Sequence, residues 1–95
     1  MPSYPGGMAA LMSWLSENIQ YPQTALMNKI SGRVIVTFVV NTDGSIDDAK
    51  IEKSMDPALD KEAIRVVSSM PNWIPGRQKG MPVRVKYTLP ITFRL

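Results

Sequence analysis

The last fifteen residues of the chain, Met81 to Leu95, alternate in polarity. The odd-numbered positions are apolar, and this period of two predicts a long β-strand with one buried face and one solvent-facing face. Pro90 lies within the strand, and proline has no backbone N–H to give to a neighbouring strand. We therefore predict that the terminal strand lies at the edge of a sheet, with Pro90 facing the open side.

An open edge on so regular a strand is either an aggregation hazard or a docking strip for an extended peptide. In a strand, the N–H and C=O of one residue face one neighbour, and those of the next residue face the other. If Pro90 faces the open edge, the other even-numbered residues do so too. Backbone hydrogen bonds to a peptide are then predicted at Arg84, Lys86, Thr88 and Thr92, and Val85 and Tyr87 complete the candidate peptide-binding stretch.

Two helices are predicted before the first strand. Apolar residues from Met8 to Ile19 recur at helical spacing, which indicates an amphipathic helix. The Gln20-Tyr21-Pro22 segment ends that helix, because the residue before a proline avoids the α conformation. Pro22 is then expected to be the first residue of a short second helix that runs through Met27.

A third helix is predicted from Asp56-Pro57, an N-cap followed by a proline at the first helical position. Its apolar residues recur at helical spacing from Leu59 to Met70, and Pro71 ends it. The prolines and glycines between Asn72 and Gly80 predict a rigid connector into the terminal strand.

Two strands are predicted between the second and third helices. Arg33 to Asn41 has apolar side chains on both faces, which is typical of the centre of a sheet. Asp43-Gly44 favours a tight turn, so the second strand, Ile46 to Lys53, folds back antiparallel to the first. The polar side chains of the second strand fit an edge, and its irregular parity indicates a bulge or a frayed start.

Together these elements predict one α+β domain, residues 1–95, with the topology α-(short α)-β-β-α-β. The third helix carries the chain across the sheet, so the terminal strand pairs with the first strand rather than with the second. The sheet is therefore expected to be three-stranded and antiparallel, in the order 2-1-3. Both main helices are expected to cover one of its faces.

The composition argues against an enzyme. The chain has no cysteine and no histidine, so thiolate metal sites and the usual general base near neutral pH are both excluded. The acidic residues between Asp43 and Glu52 lack the spacing of a calcium loop. The net charge of +3 is small for a nucleic-acid-binding domain. We expect no catalysis, no metal, no cofactor and no nucleic-acid partner.

Several short motifs occur in a fixed order along the chain. They are Tyr4-Pro5-Gly6-Gly7, Asn18-Ile19-Gln20-Tyr21-Pro22, Gly32-Arg33-Val34, Asp43-Gly44, Leu59-Asp60 with Glu62-Ala63, Met70-Pro71-Asn72-Trp73 with Pro75-Gly76, and Pro82-Val83 leading to Tyr87, Pro90, Ile91 and Phe93. In this order and spacing they resemble the C-terminal domain of TonB energy transducers, particularly its Bacteroidetes-type form. The resemblance covers nearly the whole chain.

The resemblance implies a periplasmic domain of a longer protein that is tethered to the inner membrane through a preceding helix and a proline-rich spacer. Such transducers are driven by the ExbB and ExbD proton-motive complex and bind the TonB box, a short peptide of outer-membrane receptors that import siderophores, cobalamin or glycans. The family binds that peptide as an added strand on its final β-strand, here Pro82 to Leu95. The segment of the family that contacts the receptor matches Gln20, Tyr21 and Pro22.

Alternatives to receptor binding are open at this point. The free edge could pair with a second copy to form a homodimer, or the domain could be attached to a membrane sensor or peptidase. The charges of Arg84, Lys86 and Arg94 either attract acidic residues of a peptide or are solvated charges that prevent other strands from pairing with the edge. Tyr21 is either a receptor contact or a helix stop packed on the core.

Overall fold

The computed structural model describes all 95 residues. Its elements are α1 (Gly7–Asn18), α2 (Gln23–Met27), β1 (Gly32–Val40), β2 (Ile46–Lys53), α3 (Pro57–Ser68), β3 (Gly76–Gln78), β4 (Met81–Val83) and β5 (Val85–Phe93). The main sheet is antiparallel in the order β2-β1-β5, and β3 pairs with β4 in a separate two-stranded sheet. The predicted α+β class, the central first strand and the outer position of the terminal strand are confirmed.

One face of the main sheet carries the hydrophobic core. β1 buries its even-numbered side chains there, and β5 buries the odd-numbered ones from Leu89 to Phe93. α1 adds Leu11 and Leu15 to the same cluster, and α3 adds its apolar stripe. Both long helices therefore cover one face, as predicted, while the even-numbered side chains of β5 are exposed on the other face.

The helix starts follow their capping residues. The Asp56 carboxylate accepts hydrogen bonds from the N–H groups of Ala58 and Leu59, at 3.0 and 3.4 Å. These bonds satisfy donors that the first turn of α3 otherwise leaves unpaired. Pro57 occupies the first turn, as predicted. Pro22 differs from its prediction by one residue, because it is the N-cap of α2 rather than its first helical residue.

The irregular parity of β2 is a β-bulge. Between the pairs Thr37–Lys50 and Val39–Asp47, two residues of β2 oppose one residue of β1. Asp48, in the bulge, has a φ of 52°, a left-handed conformation that aspartate tolerates better than most residues. The extra residue lets apolar side chains on both sides of the bulge pack against the same core.

The prediction of one continuous strand from Met81 to Leu95 is wrong in its first part. β4 pairs with β3, and β5 begins only at Val85. The turn residues Lys79 and Gly80 have φ angles of 53° and 79°, both positive as in a type I′ turn. The expected connector therefore contains one strand of a β-hairpin. Lysine is uncommon at positive φ, so the sequence held no clear signal for this turn.

Trp73 contacts two segments of the chain: the N-terminal residues that precede α1, and the turn between β1 and β2. Ser3 and Ile74 exchange backbone hydrogen bonds of 3.0 and 2.7 Å, and the buried Tyr4 ring meets Trp73 edge-on. Gly44 has a φ of 89°, and its C=O accepts the Trp73 N–H at 2.7 Å. A Cβ on Gly44 would lie 2.1 Å from the Trp73 carbonyl oxygen, so this turn requires glycine.

Candidate functional site

β5 is an outer strand, and no other strand lies along its far side. It pairs with β1 along its whole length without a register shift, and Pro90 lies opposite Ile35. In an antiparallel ladder, opposite pairs alternately exchange hydrogen bonds and exchange none. Because Pro90 has no N–H, it fits a regular ladder only where the two opposite residues exchange no hydrogen bonds. The even-numbered residues of β5 then direct their backbone groups to the open edge.

The residues of the predicted peptide-binding stretch thus fall into two groups, even-numbered and odd-numbered, that face opposite sides of β5. Lys86, Thr88 and Thr92 are exposed, and each presents an N–H and a C=O to the open edge. Val85 and Tyr87 direct theirs to β1 and have half-buried side chains. An added strand would therefore pair with the three exposed residues.

Arg84 directly precedes β5 rather than lying within it, and its predicted pairing with a peptide stays a prediction. It lies between β4 and β5, and its guanidinium donates to Oδ1 of Asn41 at 2.8 Å. The guanidinium also comes within 3.9 Å of the Asp47 carboxylate. An exposed ion pair of this kind adds little stability. The contact nevertheless engages the charge of Arg84 within the chain, beside the β1–β2 turn.

An apolar groove runs along the open edge at the end of β5. It has a volume of about 410 Å³ and lies between α1 with the residues that follow it and the segment Pro90–Arg94. Met12, Leu15 and Ile19 supply the helical wall. The predicted apolar stripe of α1 is therefore divided, because Leu15 is buried in the core while Met12 is 45% exposed and faces the groove.

The Gln20-Tyr21-Pro22 segment lies next to the groove. The ring of Tyr21 meets Phe93 of β5 edge-on, with ring centroids 5.7 Å apart, and its hydroxyl donates to the carbonyl of Ile30. The prediction of a helix stop packed on the core is confirmed. Tyr21 also lines the groove, where a receptor contact stays a prediction.

A buried carboxylate fixes the start of this segment. Glu62 is 8% exposed and accepts the backbone N–H of Gln20 at 2.6 Å. Arg65 donates two hydrogen bonds to the same carboxylate, at 2.6 and 2.7 Å, and a third to the carbonyl of Asn18 at 3.0 Å. Through one ion pair, α3 thus holds both Asn18, the last residue of α1, and Gln20, two residues further along the chain.

The surroundings of Glu62 lower the pKa of its carboxyl group. Burial favours the neutral acid and by itself raises this pKa, but hydrogen bonds from Arg65 and Gln20, together with the positive charge of Arg65, outweigh it. The hydrogen bond to Glu62 in turn raises the pKa of Arg65. Both side chains are therefore charged at neutral pH, where the ion pair is complete.

The opposite edge of the sheet is poorly suited to pairing. β2 shifts register against β1 at two places. Most of its side chains are charged and exposed: Asp47, Asp48, Lys50, Glu52 and Lys53. Bulges and charges are common means of keeping an edge strand from recruiting another strand. β5 is thus the edge with the regular geometry that an added strand needs.

The groove and the Glu62–Arg65 ion pair were not predicted from the sequence. Glu62 occupies the buried stripe of α3, three residues after Leu59 and four before Val66, and a carboxylate at such a position signals a buried partner. The groove had no comparable signal. Met12 has the spacing of a core residue, and its exposure depends on where α1 lies relative to the sheet.

Other parts of the molecule have few features of a chemical site. No three or more Asp, Glu, His or Cys side chains come together as a metal-binding group. No helix is both long and apolar enough to cross a bilayer. Trp73 Nε1 is buried without a hydrogen-bond partner and lies among aromatic rings, whose faces are weak acceptors.

These features define a small α+β domain with one open sheet edge beside an apolar groove. The chain belongs to the TonB C-terminal domain family, because the family model described as "Gram-negative bacterial TonB protein C-terminal" matches residues 17–95. This family is not enzymatic, in agreement with the expectation from composition.

Individual relatives agree with the family assignment. The chain is 33% identical over 85 residues to "Protein TonB" of Haemophilus influenzae, covering 85% of this chain and 32% of the relative. It is 29% identical over 82 residues to "Protein TonB" of Helicobacter pylori, covering 85% of this chain and 27% of the relative. The chain thus spans about a third or less of these curated relatives.

Solved structures agree with the fold. A solution structure of the Helicobacter pylori TonB C-terminal domain has a TM-score of 0.69 at 25% identity and covers 90% of each chain. A second solution structure of that domain has a TM-score of 0.66 at 26% identity and covers 88% of this chain and 76% of the other. These likenesses confirm the predicted resemblance.

Proposed function

We propose that this domain is the periplasmic receptor-binding module of a TonB-type energy transducer. It binds the TonB box of outer-membrane receptors as a strand added to β5. The rest of the transducer, anchored in the inner membrane and driven by the ExbB and ExbD complex, couples the proton-motive force to transport through the receptor. Family membership supports the transducer role, and the share of the relatives' length that the chain spans is consistent with a domain of a longer protein.

The open edge of β5 is the observation that carries this proposal. Lys86, Thr88 and Thr92 offer both backbone groups to a partner, and Pro90 offers its carbonyl alone. Each backbone hydrogen bond contributes about 0.5–1.5 kcal/mol net. A handful of them gives moderate affinity that depends little on side chains, which suits a module that serves different receptors.

A titration of the ¹⁵N-labelled domain with a synthetic TonB box peptide tests the proposal. The amide resonances of Lys86, Thr88 and Thr92 are expected to move most, because their N–H groups gain a partner. The control is the same peptide with proline at alternate positions, which removes the donors needed for pairing. Shifts confined to α2 and α3, or equal shifts with the control peptide, would contradict strand addition.

Pairing of β5 with a second copy is the competing function, and the regularity of the same edge favours it. Sedimentation velocity over a range of concentrations separates the two. A dimer that forms through β5 should dissociate when Lys86 is replaced by proline, and TonB box peptide should compete with it. A monomer at every concentration removes this alternative and leaves receptor binding.

A further inference from the structure

We propose that residues 2–4, which we call the strap, form a joint that opens under tension. Pulling on the chain before residue 2 detaches the strap from Ile74 and Trp73 and lengthens the molecule, while the main sheet stays paired. The inference rests on the proposed transducer role, in which the chain before this domain leads to the inner-membrane anchor. It adds which contacts of the domain yield first when that chain is pulled.

The strap is held by a small set of contacts. Ser3 and Ile74 form an isolated antiparallel bridge, in which they exchange backbone hydrogen bonds of 3.0 and 2.7 Å. The buried ring of Tyr4 meets Trp73 edge-on, with ring centroids 5.7 Å apart. Pro2 is also buried. A pull therefore has to break one hydrogen-bonded pair and expose two side chains.

Two glycines connect the strap to α1. Gly6 and Gly7 have φ angles of 87° and 85°, and the Gly7 N–H donates to the carbonyl of Tyr4 at 2.8 Å. Glycine adopts positive and negative φ almost equally well. Once the strap is detached, rotation at these two residues lets it extend in the direction of the pull without moving α1.

The structure behind the two glycines is held by many more contacts. α1 buries Leu11 and Leu15 in the core, and the carbonyl of Asn18 at its end accepts a hydrogen bond from Arg65. β1 and β5 pair without interruption over nine residue pairs. Regions with few buried contacts open at lower free energy than the core of a sheet. Tension that enters before residue 2 therefore opens the strap first.

The strap is separate from the open edge of β5. Its backbone pairs with Ile74, in the connector before β3, and with no strand of the main sheet. Trp73 is the only aromatic ring between them, because it contacts both Tyr4 and Tyr87 of β5. Trp73 also keeps its own hydrogen bond to Gly44 when the strap leaves. The joint can therefore open while β5 holds a peptide.

Force spectroscopy of the domain, held through peptide tags at its two ends, tests the joint. Residues 1–7 span at most about 20 Å when they are fully extended, whereas the whole domain spans about 300 Å. We expect a reversible lengthening of up to about 20 Å at a lower force than that of global unfolding.

A cross-linked variant is the matched control. The chain has no cysteine, so Ser3→Cys combined with Ile74→Cys gives a single intramolecular disulfide. Opposite residues that exchange hydrogen bonds have Cα atoms about 5.5 Å apart, within the range of about 4.4–6.8 Å that a disulfide requires. The oxidised variant should lack the short step, and the same protein after reduction should regain it. Thermal unfolding checks that both forms are folded.

Hydrogen exchange of the wild type tests the joint without applied force. The Ile74 amide, which is bonded to Ser3, should exchange at least about tenfold faster than the Leu89 amide, which lies opposite Val36 in the main sheet. The disulfide should slow exchange at Ile74 and leave Leu89 unchanged. Equal exchange at the two amides of the wild type contradicts the joint.

The outcomes separate this inference from the function on which it rests. Absence of the short step in the wild type, or its persistence in the oxidised variant, overturns the joint and leaves receptor binding intact. Affinity for a TonB box peptide should agree within about twofold between the oxidised and reduced forms, and a tenfold difference overturns the separation of the strap from β5. A short step in a domain that binds no TonB box peptide overturns the proposed function and leaves the joint standing.

Discussion

Replacing Thr88 with proline tests the parity of β5. Thr88 is exposed and shares the parity of Pro90, so its N–H faces the open edge and has no partner in the sheet. The free energy of unfolding should therefore change by less than about 1 kcal/mol. A bound peptide loses one hydrogen bond of about 0.5–1.5 kcal/mol, which raises the dissociation constant about two- to tenfold.

The matched variant is Tyr87→Pro, one residue earlier. The Tyr87 N–H faces β1, where Phe38 lies opposite, so proline leaves a buried carbonyl unpaired at a cost of about 1–3 kcal/mol. It also removes a ring that lies 5.0 Å from Trp73, centroid to centroid. For a domain of this size, each 1 kcal/mol lowers the melting temperature by about 4–8 °C, so Tyr87→Pro should melt well below the wild type.

Thr88→Ala completes the comparison, because it removes the side chain and keeps the N–H. It should bind TonB box peptide like the wild type. Calorimetric melting measures stability, and isothermal titration measures affinity. If Thr88→Pro melts as low as Tyr87→Pro, or binds the peptide as tightly as Thr88→Ala, the assignment of even-numbered residues to the open edge is refuted.

Three further predictions concern stability. Gly44→Ala should destabilise the domain by clearly more than Gly80→Ala in urea unfolding. Both glycines have positive φ, but a Cβ at Gly44 would lie 2.1 Å from the Trp73 carbonyl oxygen, whereas a Cβ at Gly80 would have nothing within 4 Å. Equal losses of unfolding free energy in the two variants would contradict the docked turn. Glu62→Gln should be less stable than the wild type at pH 7. Because folding lowers the pKa of Glu62, the difference in unfolding free energy between the two proteins should be fully present above the ordinary pKa of 4.5 and should disappear as the pH falls through the lowered pKa. A difference that persists in acid would count against the charged pair. Asp56→Ala should cost about 0.5–2 kcal/mol by removing the cap of α3, measured by thermal melting against Asp56→Asn, which keeps a capping oxygen.

The sequence predicted those parts of the fold that depend on local patterns. The cap at Asp56, the turn at Asp43-Gly44 and the apolar periodicity of β1 and α3 each have one dominant physical cause, so the elements appear where they were expected. The break at Arg84 depends instead on a hairpin whose turn contains a lysine at positive φ. The alternation of polarity continues through β4, and periodicity alone could not reveal that its pairing partner changes.

The candidate site was predictable only in the part that depends on a local feature of the sequence. Pro90 is a chemical constraint on backbone pairing, so it identified the open edge and the parity of β5 without knowledge of the packing. The groove depends on the distance between α1 and β5, which no local pattern encodes. Met12 and Leu15 have similar sequence contexts, and tertiary packing alone decides that Leu15 is buried while Met12 faces the groove.

The unequal edges of the sheet limit how copies of this domain can associate. A sheet with two regular edges can add strands at both ends and grow into a filament. Here the bulges and charges of β2 close one end of the main sheet, so two domains that meet through β5 leave only closed edges on the main sheet that they share. Association through strands of the main sheet therefore terminates at a two-fold pair. An exposed strand can persist at high local concentration without starting fibre growth.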